Sequence, residues 1–423
     1  MLNFFKELEW RGFIHTFTPG VEEHLIKNKV TAYIGFDPTA SSLHVGSLLP
    51  IMGLVHFQRA GHIPIAIAGG GTGMVGDPSG KTQERKLLSV EDIESNLIGI
   101  KKQLSQFLDF IAKSNAAVLV NNADWLTKLS MMEFLRDVGK YFSVNEMLAK
   151  ESVRARIEQE HGMSFTEFSY SLLQSYDYLQ LYNRYNCTLQ MGGSDQWGNI
   201  TSGIDLVRRN KVAEVYAIVF PLITTSSGVK FGKTEGGTIW LDAERTSPYK
   251  FYQYWFNTDD RDVVKYLKFF TLLPEERIND LDKSLKEAPE KREAQITLAQ
   301  EVTKMLHGEA ALKQAVKASK IFFGGEISDV SEKELLDIFS DVPSTEIMKD
   351  QLGSGMPLLD LMVTTGVVKS KGEARRAIQG GGIYINNIRV VESEKKVTLE
   401  DAFHGKFILL RKGGKNYWLI KVL

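Results

Sequence analysis

Apolar residues recur at two periods along this chain, and the period changes where turn residues cluster. Val30 to Phe36, His62 to Ala68, Ala116 to Val120 and Val215 to Val219 are short apolar runs with the pattern of buried strands. Ile93, Leu97, Ile100, Leu104, Phe107, Leu108 and Ile111 recur at helical spacing and make one apolar face. Strand-helix alternation predicts a parallel sheet with helices on both sides, whose ligand site lies at the strands' C-terminal ends. From about Thr246 the pattern turns helical, over Pro248 to Asn257, Asp260 to Phe270 and Ala288 to His307. Phe322-Phe323-Gly324-Gly325 breaks it, and a polar stretch to about Gly355, with a short helix near Glu332 to Phe339, reads as a linker. Pro357 to Met362 is an apolar helical turn. Ser370 and Glu373 then form a capping box for a helix carrying Arg375 and Arg376. Gly380-Gly381-Gly382 ends that helix, and Ile383-Tyr384-Ile385 opens a hairpin turning at Asn386-Asn387. The expected division is an α/β domain over 1–245, an all-helical domain over 246–325, a linker over 326–353 and a small α+β domain over 354–423.

Composition narrows the class. At 423 residues, with 43% hydrophobic and 24% charged positions, the chain has ordinary globular usage and room for two or three cores. The single cysteine, Cys187, excludes an intrachain disulfide framework and fits a reducing cytosol. Met1 to Arg11 mixes Lys6, Glu7 and Glu9 among apolar residues and is no secretory signal. No apolar stretch reaches the roughly 18 residues a membrane span needs. The expectation is a cytoplasmic protein. Its net charge of −1 hides an asymmetry: Ser354 to Leu423 carries 12 Lys and Arg against 6 Asp and Glu, so that region is +6 and the rest −7. A basic tail on an acidic body suggests an anionic partner, with a solvated charged surface as the alternative.

Two distant stretches carry triphosphate chemistry. His44-Val45-Gly46-Ser47 follows a strand and the turn Asp37-Pro38-Thr39, placing a histidine and a glycine near a helix N-terminus. Lys230-Phe231-Gly232-Lys233-Thr234 is a Gly/Lys loop whose two lysines could neutralise developing negative charge. They could equally be ordinary loop lysines. Gly71 to Gly76 satisfies GxGxxG, but Pro78 disfavours a helix running on through Asp77, and Gly76 to Thr82 is one residue short of a Walker A loop. That run reads instead as a pocket wall, with Asp77 as an anion and Lys81 and Arg85 available to phosphate. Tyr170, Gln174 and Asp177 share one helix face, and a carboxylate and an amide in an otherwise apolar stripe each require partners.

Pro38 to Ser47 resembles the HIGH region of class I aminoacyl-tRNA synthetases, and Lys230 to Thr234 resembles their KMSKS loop. Asp77 to Lys81, Phe168-Ser169-Tyr170 and Gly192 to Asn199 match the bacterial tyrosyl branch of that class in order, as does the basic C-terminal region. The resemblance implies a Rossmann-like catalytic domain, a helical anticodon-binding domain and a C-terminal S4-like RNA-binding domain. It implies activation of L-tyrosine with ATP and Mg2+, transfer of tyrosyl to tRNA(Tyr), a homodimer, and no prosthetic group or resident metal. Ser47 departs from the family pattern by replacing the second histidine of HIGH. Pro50 falls at N3, breaking no intrahelical bond, if Ser47 is the N-cap.

The same resemblance assigns roles. Tyr33 and Asp177 would bond the phenolic hydroxyl of tyrosine; Asp77, Tyr170 and Gln174 would hold its ammonium, with Gln196 near the carboxylate. Gly35, Asp37, Thr39, His44, Gly46, Ser47, Gly193, Asp195 and Lys233 would bind ATP. His44, Lys81, Arg85, Lys230, Lys233 and Thr234 would form the catalytic set, with Lys81, Arg85, Lys230 and Lys233 binding the leaving pyrophosphate. Lys369, Lys371, Arg375 and Arg376 would meet RNA. The substrate carboxylate is the nucleophile, so catalysis is positioning plus electrostatics. A site that satisfies a hydroxyl rejects phenylalanine, a selectivity for which tyrosyl-tRNA synthetases are themselves the standard example. Two rivals remain: a tryptophanyl enzyme on this scaffold, opposed by Tyr33 with Asp177, and a non-catalytic RNA-binding relative, opposed by His44, Asp77, Lys230 and Lys233. Phe134, Leu135, Val138 and Phe142 form an apolar stripe that suits either a dimer interface or a core face.

Overall fold

The computed structural model describes residues 2–79, 88–158, 162–226, 228, 231–234, 237–327, 330–340, 342–414 and 416–423, without the side chains of residues 151, 152, 233 and 234. The chain forms two units, residues 1–246 with 255–306, and residues 247–254 with 307–423.

The first unit is built on six strands: β1 (Thr16–Phe17), β2 (Thr31–Phe36), β3 (Ile63–Ala68), β4 (Val118–Asn121), β5 (Cys187–Gly193) and β6 (Tyr216–Phe220). Their order is β1-β6-β5-β2-β3-β4, parallel except for β1, which runs antiparallel to β6. The four apolar runs expected as strands are β2, β3, β4 and β6, each within two residues at either end. The order reverses at β2, whose neighbours are β3 on one side and β5 on the other. An open parallel sheet has its ligand crevice outside the C-terminal ends of the strands at such a switch.

Local chemistry sets the helices around it. In Val90–Phe107, the Ser89 hydroxyl caps Asp92 N at 3.1 Å, and Ile93, Leu97, Ile100 and Leu104 are buried as the spacing predicts. The apolar face ends sooner than expected. Leu108 is already the C-cap, and Ile111 is 92% exposed, because Asp109 folds the chain over by accepting Ile111 N at 2.8 Å. Leu48–Arg59 starts after a single 3-10 turn, Val45–Ser47, with Ser47 as its N-cap. Pro50 is therefore N3, where its missing N–H removes no intrahelical bond. Phe165–Tyr185 has a full capping box from Ser164 and Glu167 and ends at Asn186 in the left-handed region. Gly71 to Gly76 opens no dinucleotide helix; only Thr72–Met74 forms, a single 3-10 turn.

The Phe134 stripe is mostly a core face. Val138 is buried, and Phe134 and Phe142 pack onto the cluster of Tyr33, Ile65, Trp125 and Tyr178, whereas Leu135 is 48% exposed. Helices Asp260–Phe270 and Glu275–Glu287 belong to this unit, as does the first part of the helical run Glu293–Phe322. That run is broken at Gly308 (φ 81), where the chain passes into the second unit.

The second unit carries a five-stranded sheet in the order Ile388–Arg389, Ile383–Ile385, Phe407–Lys412, Asn416–Val422, Ser344–Ile347. All neighbours are antiparallel except the last pair. The expected hairpin turns at Asn386 (φ 51) and Asn387 (φ 63), both in the left-handed conformation a two-residue turn of this hand demands. The stretch 326–353 is not a linker. Ser331 and Glu334 box the helix Glu332–Ile338, which buries Leu335 and Ile338, with Phe339, against Ile321, Phe407, Leu409, Tyr417 and Leu419. Ser344–Ile347 then pairs with Asn416–Val422. A few apolar positions among many charged ones are enough to build these elements, so the segment reads as polar but folds.

Candidate active site

The switch crevice receives Gly35 and Asp37 from the end of β2 and Gly193, Asp195 and Gln196 from the end of β5. Deep within it lies Asp177, on the Phe165–Tyr185 helix and 3% exposed. Its Oδ1 accepts Trp125 Nε1 at 2.7 Å and its Oδ2 accepts Asn122 Nδ2 at 2.9 Å. Burial pushes its pKa up to about 7, and the Asn122 and Trp125 hydrogen bonds oppose that rise. Tyr33 lies nearby on β2, 1% exposed, and its hydroxyl has no hydrogen-bond partner among the described residues. Burial, then the Asp177 charge, hold that phenol well above its ordinary pKa, so it stays protonated. A buried hydroxyl without a partner costs about 1–3 kcal/mol. Gln190, directly across from Tyr33 on β5, likewise has a buried, unpartnered Oε1 among the described residues.

Higher in the crevice, Asp77 is buried, with Ser79 N on its Oδ1 at 2.9 Å and Gln196 Nε2 on its Oδ2 at 2.7 Å. Asn199 Nδ2 braces Ser79 Oγ at 3.2 Å and Gln196 Oε1 at 3.3 Å. Tyr170, expected beside Asp77, donates its hydroxyl to Asp37 Oδ2 at 3.3 Å, and Thr72 Oγ1 donates to Asp37 Oδ1 at 3.1 Å. Gln174 is half-buried on the same helix. Two carboxylates, Asp37 and Asp77, thus share the crevice with the more deeply buried Asp177.

The two triphosphate-like motifs meet in space. Val45 N donates to Ile239 O at 3.0 Å, Leu241 N to Leu43 O at 2.9 Å, and Ile239 N to Gly232 O at 3.0 Å. Gly232 (φ +81) lies so close that a Cβ there would stand 2.7 Å from Val45 Cγ2. His44 caps the 3-10 turn, its Nδ1 accepting Gly46 N at 3.0 Å. With Nδ1 as acceptor, the neutral ring carries its proton on Nε2, a donor suited to phosphate oxygen. A Cβ at Gly46 would come 2.6 Å from the His44 ring, and one at Gly193 would come 2.5 Å from Asp195 Oδ1. Thr39 is exposed and donates its N–H to Asp37 O at 2.9 Å, while Ser47 makes no side-chain cap bond. The backbone of Lys233 and Thr234 pairs with Gly237–Thr238 in a small hairpin. Lys81, Arg85 and Lys230 lie outside the described residues.

Sequence reasoning missed Asn122, Trp125 and Gln190. The first two follow the C-terminal end of β4, and that position was a usable signal. Gln190 sits inside a strand, where nothing marks it as anything but packing.

Residues 26–324 match the family described as tRNA synthetases class I (W and Y), and residues 334–420 match the tyrosine–tRNA ligase SYY-like C-terminal domain. A tyrosine–tRNA ligase of Roseiflexus castenholzii is 54% identical over 424 residues, spanning 100% of both chains. One from Geobacillus stearothermophilus is 51% identical over 99% of this chain and 100% of that protein. Among solved structures, a C-terminally truncated mitochondrial tyrosyl-tRNA synthetase of Aspergillus nidulans superposes with a TM-score of 0.70 at 31% identity, covering 76% of this chain and 95% of that one. With two family matches that between them span most of the chain, and full-length relatives above half identity, the chain belongs to the tyrosyl-tRNA synthetase family of class I.

Proposed function

We infer that the chain is a tyrosine–tRNA ligase. It joins L-tyrosine to ATP, releasing pyrophosphate, and then passes the tyrosyl group from the adenylate to the 3′ end of tRNA(Tyr). The observation that carries the choice of amino acid is the pair Asp177 and Tyr33, a buried carboxylate beside a buried hydroxyl that has no partner among the described residues. A phenol entering there satisfies both; an indole or a phenyl ring offers no hydroxyl to them. Asp77, Tyr170 and Gln174 hold the substrate ammonium, and Gln196 orients its carboxylate toward the α-phosphate. Asp37 joins the ammonium side through Tyr170, a support its bond to that hydroxyl favours.

ATP enters as its Mg2+ complex. Thr39 and His44 meet the phosphates, Gly35, Gly46 and Ser47 admit the nucleotide close to backbone, and Gly193 and Asp195 hold the ribose. Lys81, Arg85, Lys230, Lys233 and Thr234 take the charge that builds on pyrophosphate, so their contribution falls on the chemical step. Lys369, Arg375 and Arg376, all exposed, bind tRNA, together with Lys371. The enzyme acts in the cytoplasm as a homodimer. Because the Phe134 stripe is mainly core, the apolar surface available to a second copy near it is Met131, Met132 and Leu135, exposed by 72, 74 and 48%.

Pyrophosphate exchange measured with each of the twenty amino acids tests the reading. Exchange dependent on tyrosine alone is expected. Exchange with tryptophan instead, or none at all, would reject it. Sedimentation showing only monomer at micromolar concentration would remove the dimer.

A further inference from the structure

We propose that one face of the Asp260–Phe270 helix is the bearing on which the Lys/Gly loop of the active site is seated, and that Phe231 and Asp262 are positioning residues for adenylate formation. The proposal rests on the ligase reading above. Asp262, Tyr266 and Phe270 are spaced i, i+4, i+8 and so line one stripe of that helix. Each holds the loop. Ser226, on its incoming side, donates both its N–H and its hydroxyl to Asp262 Oδ2, at 2.9 and 2.8 Å. Phe231, between the two lysines in sequence, is 7% exposed and lies parallel to Phe270 with centroids 5.5 Å apart and 7° between planes. Tyr266 meets the same ring edge-on at 5.2 Å, and Trp255 lies tilted against it at 6.0 Å. On the outgoing side, Gly232 abuts Val45 of the histidine motif, and the Lys233–Thr234 hairpin follows directly.

The bearing is itself braced. The buried Arg11 guanidinium donates to Lys268 O and Thr271 O at 3.0 Å each and to Leu273 O at 2.7 Å, fixing the helix's C-terminal end. Burying a phenylalanine from between two lysines among three aromatic rings fixes the place of the residues beside it. With Phe231 seated, Gly232 and Lys233 have one position relative to His44. Without it, the loop keeps its lysines but loses their register. Misplacement on the scale of 1 Å costs about 10²-fold in rate when catalysis is positioning.

The test uses the full chain and reads single-turnover adenylate formation beside equilibrium tyrosine binding. Phe231→Leu and Asp262→Ala should each slow the chemical step by roughly 10- to 100-fold. Tyrosine affinity should stay within about twofold, because the tyrosine pocket takes nothing from this helix. Phe231→Met, which refills the volume flexibly, should recover much of the rate lost in Phe231→Ala. Equal loss of tyrosine affinity and rate would mean a general structural lesion and overturn the proposal. So would unchanged rates in folded Phe231→Leu and Asp262→Ala. An unaltered chain with no tyrosine-dependent exchange would instead reject the ligase reading itself, and this inference with it.

Discussion

Asp177 ties substrate choice to pH through one carboxylate. Its pKa is raised from 3.8 to about 7 by burial, against the pull of Asn122 and Trp125, so in the empty folded protein it gives up its proton only near neutral pH. A raised folded-state pKa contributes stability in full below 3.8, and that contribution is lost as pH rises through about 7. Tyrosine binding has the opposite sign, because the ionised carboxylate is the better acceptor for a phenol. Thermal stability should therefore carry a component that declines from about pH 4 to 7, while tyrosine affinity rises across about pH 6 to 8. Asp177→Asn should flatten both curves, raise the tyrosine KM and weaken discrimination against phenylalanine. Melting curves and tyrosine titrations across that range decide it. Normal selectivity with unchanged pH profiles would remove Asp177 from the pocket chemistry.

Among the elements, Gly99 in the Val90–Phe107 helix exposes a contest between propensity and packing. Alanine in a helix interior is favoured over glycine by about 0.8–1.0 kcal/mol. A Cβ at Gly99, however, would stand 1.9 Å from Ser41 O, a backbone atom just ahead of His44. No side chain can swing away there, so the helix or the 39–44 segment must shift. Overpacking of this kind typically costs about 1–3 kcal/mol and outweighs the propensity gain. Gly99→Ala should lower Tm and slow adenylate formation through ATP; a raised Tm with normal rates would refute the close approach. This contact was not legible in the sequence, where Gly99 is one residue in an amphipathic repeat. The strands and helices themselves were legible, because β2, β3 and β6 are buried as near-continuous apolar runs and Ile93 to Leu104 keep helical spacing. What escaped depends mostly on distant partners. Trp125, in a four-residue helix too short to show a period, is placed by its bond to Asp177, and Glu373 of the Ser370 box turns its side chain to Lys412 Nζ at 2.8 Å and Lys369 N at 3.0 Å. The strand Ser344–Ile347 exists only because Asn416–Val422, far along the chain, supplies its edge.

At the scale of the molecule, the folded 326–353 segment changes how the C-terminal region can be dissected. A cut near Gly353 would not fall in a free tether. It would strip the helix Glu332–Ile338 of Phe407, Leu409, Tyr417 and Leu419, and leave Ser344–Ile347 unpaired. Loss of tRNA charging after such a cut would confound unfolding with lost contacts, so the RNA-binding role is better probed by charge. Lys369, Arg375 and Arg376 are exposed, and Lys371, also exposed, is already ion-paired with Asp360. RNA contacts by such cations release counterions, so tRNA affinity of the intact chain should fall steeply with salt. Each phosphate contact removed should flatten the log–log slope by about 0.7–0.9. Alanine at Lys369, Arg375 or Arg376 should show that increment, and Lys371→Ala a smaller one, because its charge is partly neutralised by Asp360 before RNA arrives. Tyrosine and ATP binding should not change, since every residue assigned to them lies in the first unit. The measurement is tRNA affinity by filter binding or fluorescence at several salt concentrations, alongside pyrophosphate exchange on the same variants. A slope unchanged by the triple substitution of Lys369, Arg375 and Arg376, in a protein that still exchanges normally, would place the RNA-binding surface elsewhere.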